Sequence, residues 1–245
     1  MTVCKLAGLS VCLANRYPYL PTLLRDYITE EPPLLTLSVT DDEIAAEAAG
    51  GQQLPENLDT PARLSFLEPL AFYRKLCEVL PRYHGFFLHA ALLSVHGEGI
   101  AISAPSGTGK STHAVLWRAL LGDACEIVNG DKPLLRRGED GVFHGYGTPF
   151  SGKEGFARNT AVPVRTLLLL ERGEEDRLTP MGAAEAFPSL YSATLAPRSE
   201  EELAQLLPLL SDFLATVRIY RATVTPRLSA AETAYHTLFP TEALP

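Results

Sequence analysis

The stretch Ala104-Pro-Ser-Gly-Thr-Gly-Lys110-Ser-Thr112 constrains this chain more than any other. It follows the pattern G-x-x-x-x-G-K-[ST], with Ala104 in the place of the first Gly. Gly107 and Gly109 let the backbone turn so that successive N–H groups face inward, where they can hold phosphate oxygens. Lys110 adds a point charge suited to β- and γ-phosphates, and the Ser111 hydroxyl can ligate Mg²⁺. A helix starting here aims its positive end at the same place. Such a loop needs a strand before it and a helix after it, and the sequence offers both. Leu88 to Val95 is apolar and strand-like, His96 to Gly99 is a turn, and Ile100 to Ser103 is a second apolar run. Thr112 to Leu121 is helix-forming, with Gly122 as its C-terminal cap.

The tight hairpin before the loop predicts a mixed sheet, because an all-parallel sheet would need crossover connections there. Other elements follow from periodicity and turn chemistry. Val3 to Leu13 reads as a strand and Leu34 to Val39 as another. Thr40 and Glu43 form a capping box for a helix ending at Gly50-Gly51, and residues 52–61 read as a loop. Arg63 to Leu80 has helical spacing and is stopped by Pro81. Cys125 to Val128 is a strand candidate, and Leu134-Leu135 with Gly141 to Tyr146 suggest a hairpin. Val164 to Glu171 reads as a buried strand. Ser199 with Glu202 caps a helical region to about Val217, kinked or split at Pro208. Arg218 to Val224 is a strand, and Ser229 with Glu232 caps a last helix through Leu238.

Composition narrows the function classes. The chain has 245 residues, 46% hydrophobic and 20% charged, enough for a substantial core. Its net charge of −8, without a block of Lys or Arg, argues against nucleic acid or an anionic membrane as partner. No apolar run approaches a membrane span, and the N-terminus lacks a signal-peptide layout. Cys4, Cys12, Cys77 and Cys125 show no C-x-x-C spacing, so they read as reduced, mostly buried thiols of a cytoplasmic protein.

Four further positions could carry chemistry. Asp131, just past the strand after the loop helix, could hold Mg²⁺ opposite Ser111. His89, on the strand paired with the one entering the loop, could touch a phosphate or move a proton. Lys153 and Glu154 lie in the Gly-rich stretch Gly147 to Gly155, where a charge is easily placed against a ligand. Lys153 could counter charge developing in phosphoryl transfer. Arg158 and Asn159 are further candidates.

Together these pieces resemble the HPr kinase/phosphorylase-like proteins, and more narrowly the short bacterial group described as HPr serine kinase-like. The resemblance rests on His89-Ala-Ala, Ser103 to His113 followed by Leu116-Trp117, Asn129-Gly-Asp-Lys-Pro-Leu-Leu135, and Tyr146-Gly-Thr-Pro-Phe-Ser-Gly-Lys153. It implies an α/β fold with a P-loop core on a mixed sheet, similar to the nucleotide domain of HPr kinase and of phosphoenolpyruvate carboxykinase. Residues 86–245 would form that domain, with residues 1–85 an N-terminal α/β subdomain packed on the core. It also implies ATP- and Mg²⁺-dependent transfer of a phosphoryl group to a serine hydroxyl. Ser106, Gly107, Thr108, Gly109, Lys110, Ser111 and Thr112 match the nucleotide loop, Asp131 the metal-proximal acid, and His89 the histidine upstream of the loop.

Three departures qualify this. The family's second motif carries two adjacent Asp residues, the first as catalytic base; here that position is Gly130. His89, Asp131 or Glu154 would then have to orient the hydroxyl. The Pro-Gly-Arg-Asn stretch tied to the phosphorylase reaction has no counterpart. The region before residue 86 does not resemble the N-terminal domain of the full-length kinases, which puts HPr itself in doubt as substrate. The expected acceptor is a Ser or Thr of a small protein or peptide, or a small metabolite. A homo-oligomer is compatible with the resemblance. Two rivals stand beside this reading: a carboxykinase-like lyase, for which no dedicated motif is found, and a nucleotide-binding regulatory subunit without catalysis.

Overall fold

The protein is described here by a computed structural model that places residues 2–48 and 60–244. Two units, Met1–Leu80 and Pro81–Pro245, each make their own internal contacts. The division falls before residue 85 because Gly85–Phe87 pairs into the second unit's sheet.

The first unit holds β1 (Thr2–Leu6), β2 (Leu9–Ala14), α1 (Tyr19–Leu23), β3 (Leu35–Ser38), α2 (Asp41–Ala48) and α3 (Thr60–Val79). Its sheet has the order β1-β2-β3, with β1 antiparallel and β3 parallel to β2. The single strand expected over Val3 to Leu13 is therefore a hairpin. Ala7 (φ 51°) and Gly8 (φ 73°) both sit in the left-handed region, as a two-residue hairpin turn requires. The Thr40–Glu43 box forms: the Glu43 N–H donates to Thr40 Oγ1 at 3.2 Å and the Thr40 N–H to Glu43 Oε2 at 2.7 Å. The expected helix end at Gly50-Gly51 lies outside the described residues, as does most of the expected loop 52–61. Thr60 and Pro61 already belong to α3. Glu68 of α3 is fully buried, and its carboxylate accepts the backbone N–H groups of Arg16 and Tyr17 at 2.5 and 3.1 Å. A buried carboxylate is tolerable when so paired.

The second unit runs β4 (Gly85–Phe87), β5 (Ala90–Val95), β6 (Glu98–Ser103), α4 (Lys110–Leu121), β7 (Cys125–Asn129), β8 (Leu134–Arg137), β9 (Phe143–Tyr146) and β10 (Ala161–Arg172). It continues with β11 (Arg177–Pro180), α5 (Ala183–Ser192), α6 (Glu200–Thr216), β12 (Arg218–Val224) and α7 (Leu228–Leu238). These strands form one mixed sheet in the order β4-β8-β9-β10-β6-β5-β7, with β12 beside β10 and β11 beside β12. β6 and β12 run parallel to β10, whereas β5 is antiparallel to both β6 and β7. The expected mixed α/β architecture is therefore present.

Alternating side chains cover both faces of this sheet. Leu93, Ile100, Ile102, Leu168 and Leu170 meet Trp117 of α4 and Tyr235 of α7. Leu92, Ala101, Val164, Leu167 and Ile219 meet Leu190 of α5 and Leu210 and Phe213 of α6. Several sequence expectations need correction. β5 starts at Ala90, because the Leu88 and His89 N–H groups leave the ladder for the carbonyls of Pro133 and Ala193. α6 is one helix, not split, with Pro208 inside it, packed along Leu206, Leu209, Leu210 and Phe213. The Ser229–Glu232 capping box does not form: Arg227 is the N-cap, and the Ser229 hydroxyl donates to Asp176 at 2.5 Å. α5 was not foreseen, since it contains Pro188 and has no side-chain cap at Gly182.

All four cysteines are free and buried. Burial pushes the thiols of Cys4 and Cys125 up to about 12 and raises that of Cys77 as well. Among the described residues, no helix is long and apolar enough to cross a membrane.

Candidate functional site

The loop from Ala104 to Gly109 joins the C-terminal end of β6 to the first residue of α4, as the spacing demanded. Gly107 (φ 77°) and Gly109 (φ 123°) hold conformations that side chains disfavour, and a Cβ built on either meets nothing within 4 Å. The glycines are thus needed for backbone shape beside open space. The loop is braced from behind by Arg172, at the end of β10. Its Nε donates to the Thr108 carbonyl at 3.2 Å and its Nη2 to the Gly107 carbonyl at 2.5 Å. The Thr108 N–H closes a turn onto the Pro105 carbonyl at 3.2 Å, so the polar side the loop can offer a ligand is made of its other N–H groups.

Lys110 is only 7% exposed, and its ammonium donates to the Ala104 carbonyl at 3.0 Å, across the loop. Desolvation lowers its pKa, and the charge of Asp131 opposes that. Ser106 and Thr112 are exposed, and Thr108 and Ser111 are half-buried.

Asp131 lies in the turn after β7. This turn is organised by Asn129, fully buried, whose Oδ1 accepts the N–H groups of Asp131 (2.9 Å) and Lys132 (2.6 Å). The Asn129 amide donates in turn to the Thr148 carbonyl at 3.0 Å and hydroxyl at 3.1 Å. His89 Nε2 stands 3.1 Å from Asp131 Oδ1, and Lys132 Nζ stands 3.0 Å from Oδ2. Burial acts to raise the Asp131 pKa, but the His89 hydrogen bond and the Lys132 charge outweigh it and bring it to about 2. The carboxylate is thus ionised at neutral pH. Ser103 Oγ donates to the His89 carbonyl at 3.0 Å, which links the end of β6 to His89.

Clefts flank the loop on several sides, one of about 380 Å³ between residues 105–108 and 170–172 at the end of β10, and two more that involve other elements. One of these two, of about 340 Å³, is lined by His89, Ser103, Ser106, Leu169, Ser189 and Ser192, among others. The other, of about 310 Å³, lies on the α4 side and includes Thr108, Gly109, Thr112 and His113. His89, Asp131 and Lys110 are therefore brought together with the loop. Lys153 and Glu154 are exposed and line none of these clefts, although their neighbour Gly152 packs on Asp131: a Cβ on Gly152 would lie 3.0 Å from that of Asp131. Arg158 faces Glu126 at 3.6 Å. At Gly130, a Cβ would come within 3.0 Å of the Ser151 carbonyl and 3.3 Å of Phe156 Cβ. The backbone here leaves little room for a second Asp. Sequence reasoning did not single out Arg172, Asn129 or His113. Only Asn129 carried a signal, as an Asx residue opening a turn.

Among the described residues no three His, Cys, Asp or Glu side chains converge as a metal site. Mg²⁺ is commonly held by one or two carboxylates together with substrate phosphates. An ionised Asp131 near a loop of this shape fits that donor set.

The family model described as "SynChlorMet cassette protein ScmC" matches residues 64–197, more than half of the chain. The chain belongs to that family. No curated protein matches it significantly. Among solved structures, the HPr(Ser) kinase/phosphatase from Coxiella burnetii aligns at 12% identity over 63% of this chain and 91% of that one. The TM-score is 0.38, a likeness too distant to carry functional weight.

Proposed function

We propose that the chain is an ATP- and Mg²⁺-dependent phosphotransferase with an HPr kinase-like P-loop core. It moves the γ-phosphoryl group to a hydroxyl, on a Ser or Thr of a small protein or peptide or on a small metabolite. The observation that carries this reading is the pairing of the open loop, with buried Lys110 at its base, to an ionised Asp131 held by His89. The N–H groups of residues 106–112 other than Thr108, whose N–H is bonded to the Pro105 carbonyl, and the Lys110 ammonium hold the β- and γ-phosphates. Ser111, and Asp131 through the oxygen now facing Lys132, would hold Mg²⁺. When bound, the metal neutralises phosphate charge.

His89 replaces the base missing at Gly130. With its Nε2–H on Asp131, its Nδ1 is left as the acceptor for the hydroxyl proton. The acceptor oxygen then bonds to the γ-phosphorus as the bridging bond to ADP breaks. The acceptor occupies the cleft beside His89, Ser103 and Ser189. Lys153 and Glu154, exposed next to Gly152, are assigned a lesser part, in countering charge and positioning the acceptor.

The crowding at Gly130 favours one second reading, a nucleotide-binding regulatory subunit without transfer. Incubating the protein with γ-labelled ATP, Mg²⁺ and a whole-cell lysate separates the two. A labelled protein or metabolite that falls roughly 10³-fold with Lys110→Ala supports transfer, since one lost charge-stabilising group costs on this order. Undiminished labelling with Lys110→Ala would falsify the mechanism, and tight ATP binding without labelling favours the regulatory reading.

A further inference from the structure

The cleft of about 340 Å³ beside His89 carries hydroxyls of its own: Ser103, Ser106, Ser189 and Ser192 all line it. Their surroundings set them apart. Ser103 is 1% exposed, and its hydroxyl donates to the His89 carbonyl. Ser106 is part of the loop itself. The Ser192 hydroxyl turns back onto its own helix and donates to the Ser189 carbonyl at 2.9 Å. Ser189 is exposed, and its hydroxyl has no hydrogen-bond partner among the described residues. Of the four, it is the one free to react.

The helix that carries Ser189 is tied to His89. The His89 N–H donates at 2.8 Å to the carbonyl of Ala193, the C-cap of α5. Ser189 lies four residues before Ala193, so the two share a helix face, and both line the cleft. The other faces of α5 are taken: Ala186 and Leu190 are buried in the core, and Phe187 and Tyr191 stack on each other at 6.4 Å. Pro105 and Ser106 of the loop line the same cleft. Its volume is at the small end for a ligand site, so a phosphoryl group on the loop and the Ser189 hydroxyl would share one small space.

We propose that Ser189 is a phosphoryl acceptor within its own chain, a self-modification site. The proposal rests on the reading that the loop presents the γ-phosphoryl group of ATP to this cleft. Ser189 Oγ bonds to the γ-phosphorus as the bridging P–O bond breaks and ADP departs. The hydroxyl proton passes to Nδ1 of His89, whose Nε2 is engaged by Asp131 at 3.1 Å.

The purified full chain, incubated with Mg²⁺ and γ-labelled ATP and no other protein, tests it. Label should enter the chain with a rate constant independent of protein concentration, as transfer within one chain requires. Peptide mass spectrometry should place the phosphate on Ser189. Ser189→Ala should lose the label. Ser189→Thr should regain it on the new hydroxyl, which guards against a folding defect in the Ala variant. Label on another residue, label retained by Ser189→Ala, or a rate constant proportional to protein concentration overturns the site. A chain that does not label itself, yet labels a lysate in a manner that needs Lys110, overturns the site and leaves the transferase reading standing. Labelling of neither overturns both.

Discussion

Two glycine-rich loops can be compared through Gly107 and Gly109 in the first and Gly147 in the second, which do opposite things. In the loop 104–109, Gly107 and Gly109 adopt positive φ beside empty space. At Gly147, which opens the loop 147–155, glycine is needed because other backbone is in the way, whereas Gly152 and Gly155 further on take positive φ. A Cβ on Gly147 would lie 1.8 Å from the Arg158 carbonyl and 2.8 Å from that of Val128. The Gly147 N–H is bonded to the Thr160 carbonyl at 3.0 Å, and Arg158 N–H to the Val128 carbonyl at 3.0 Å. The first loop's glycines border open space; Gly147 of the second is fastened down beside the turn that carries Asp131. The lysines differ in the same way, Lys110 being buried across its loop and Lys153 exposed. Glycine density and a lysine therefore do not by themselves mark a binding loop.

Substitutions should separate the two loops. Gly147→Ala has the largest expected effect on stability: its Cβ cannot be placed without moving backbone, and a loss on the order of 4 kcal/mol is expected in urea unfolding. An ordinary midpoint for this variant would break the contrast. The helix behind the first loop carries a pH signature. Burial lowers the His113 pKa to about 4, against about 6.5 in an unfolded chain. Between these values the unfolded chain binds more protons, so the His113 contribution is present above about pH 6.5 and lost on acidification toward 4. On the order of 3 kcal/mol is at stake, and His113→Phe should remove that slope from the stability-versus-pH curve. Gly107→Ala should cost only about 1–2 kcal/mol, the strain of a left-handed residue in open space. Its thermal midpoint should therefore lie well above that of Gly147→Ala. Lys153→Ala is the mildest, with stability within about 0.5 kcal/mol of wild type and a loss of labelling of about tenfold or less. A larger loss than that of Lys110→Ala would reverse the assignment of the two lysines.

The first loop was legible because its chemistry is local. Strand, glycines, lysine and helix follow one another along a dozen residues, and the structure places them in that order. The mixed sheet was legible from the short turn between β5 and β6, which only an antiparallel pair can use. What was missed depends on distant partners. Arg172 braces the loop from another strand, and nothing in the sequence around it says so. His113 looked like one more position in a helix until Trp117, one turn later, fixed its tautomer. The Ser229 box failed because Asp176, far off in sequence, competes for the hydroxyl. The hairpin at Ala7-Gly8 was missed because Ala7 is a poor advertisement for positive φ.

The central claim is that the loop 104–109, and not the loop 147–155, meets the nucleotide. Backbone amide resonances of the ¹⁵N-labelled protein, followed while Mg²⁺ and ATP are added, test it most directly. The Gly107, Gly109 and Lys110 amides should shift strongly and saturably, while those of Gly147 and Gly155 stay near their starting positions. Shifts confined to the second loop, or none in the first at saturating ATP, would contradict the account.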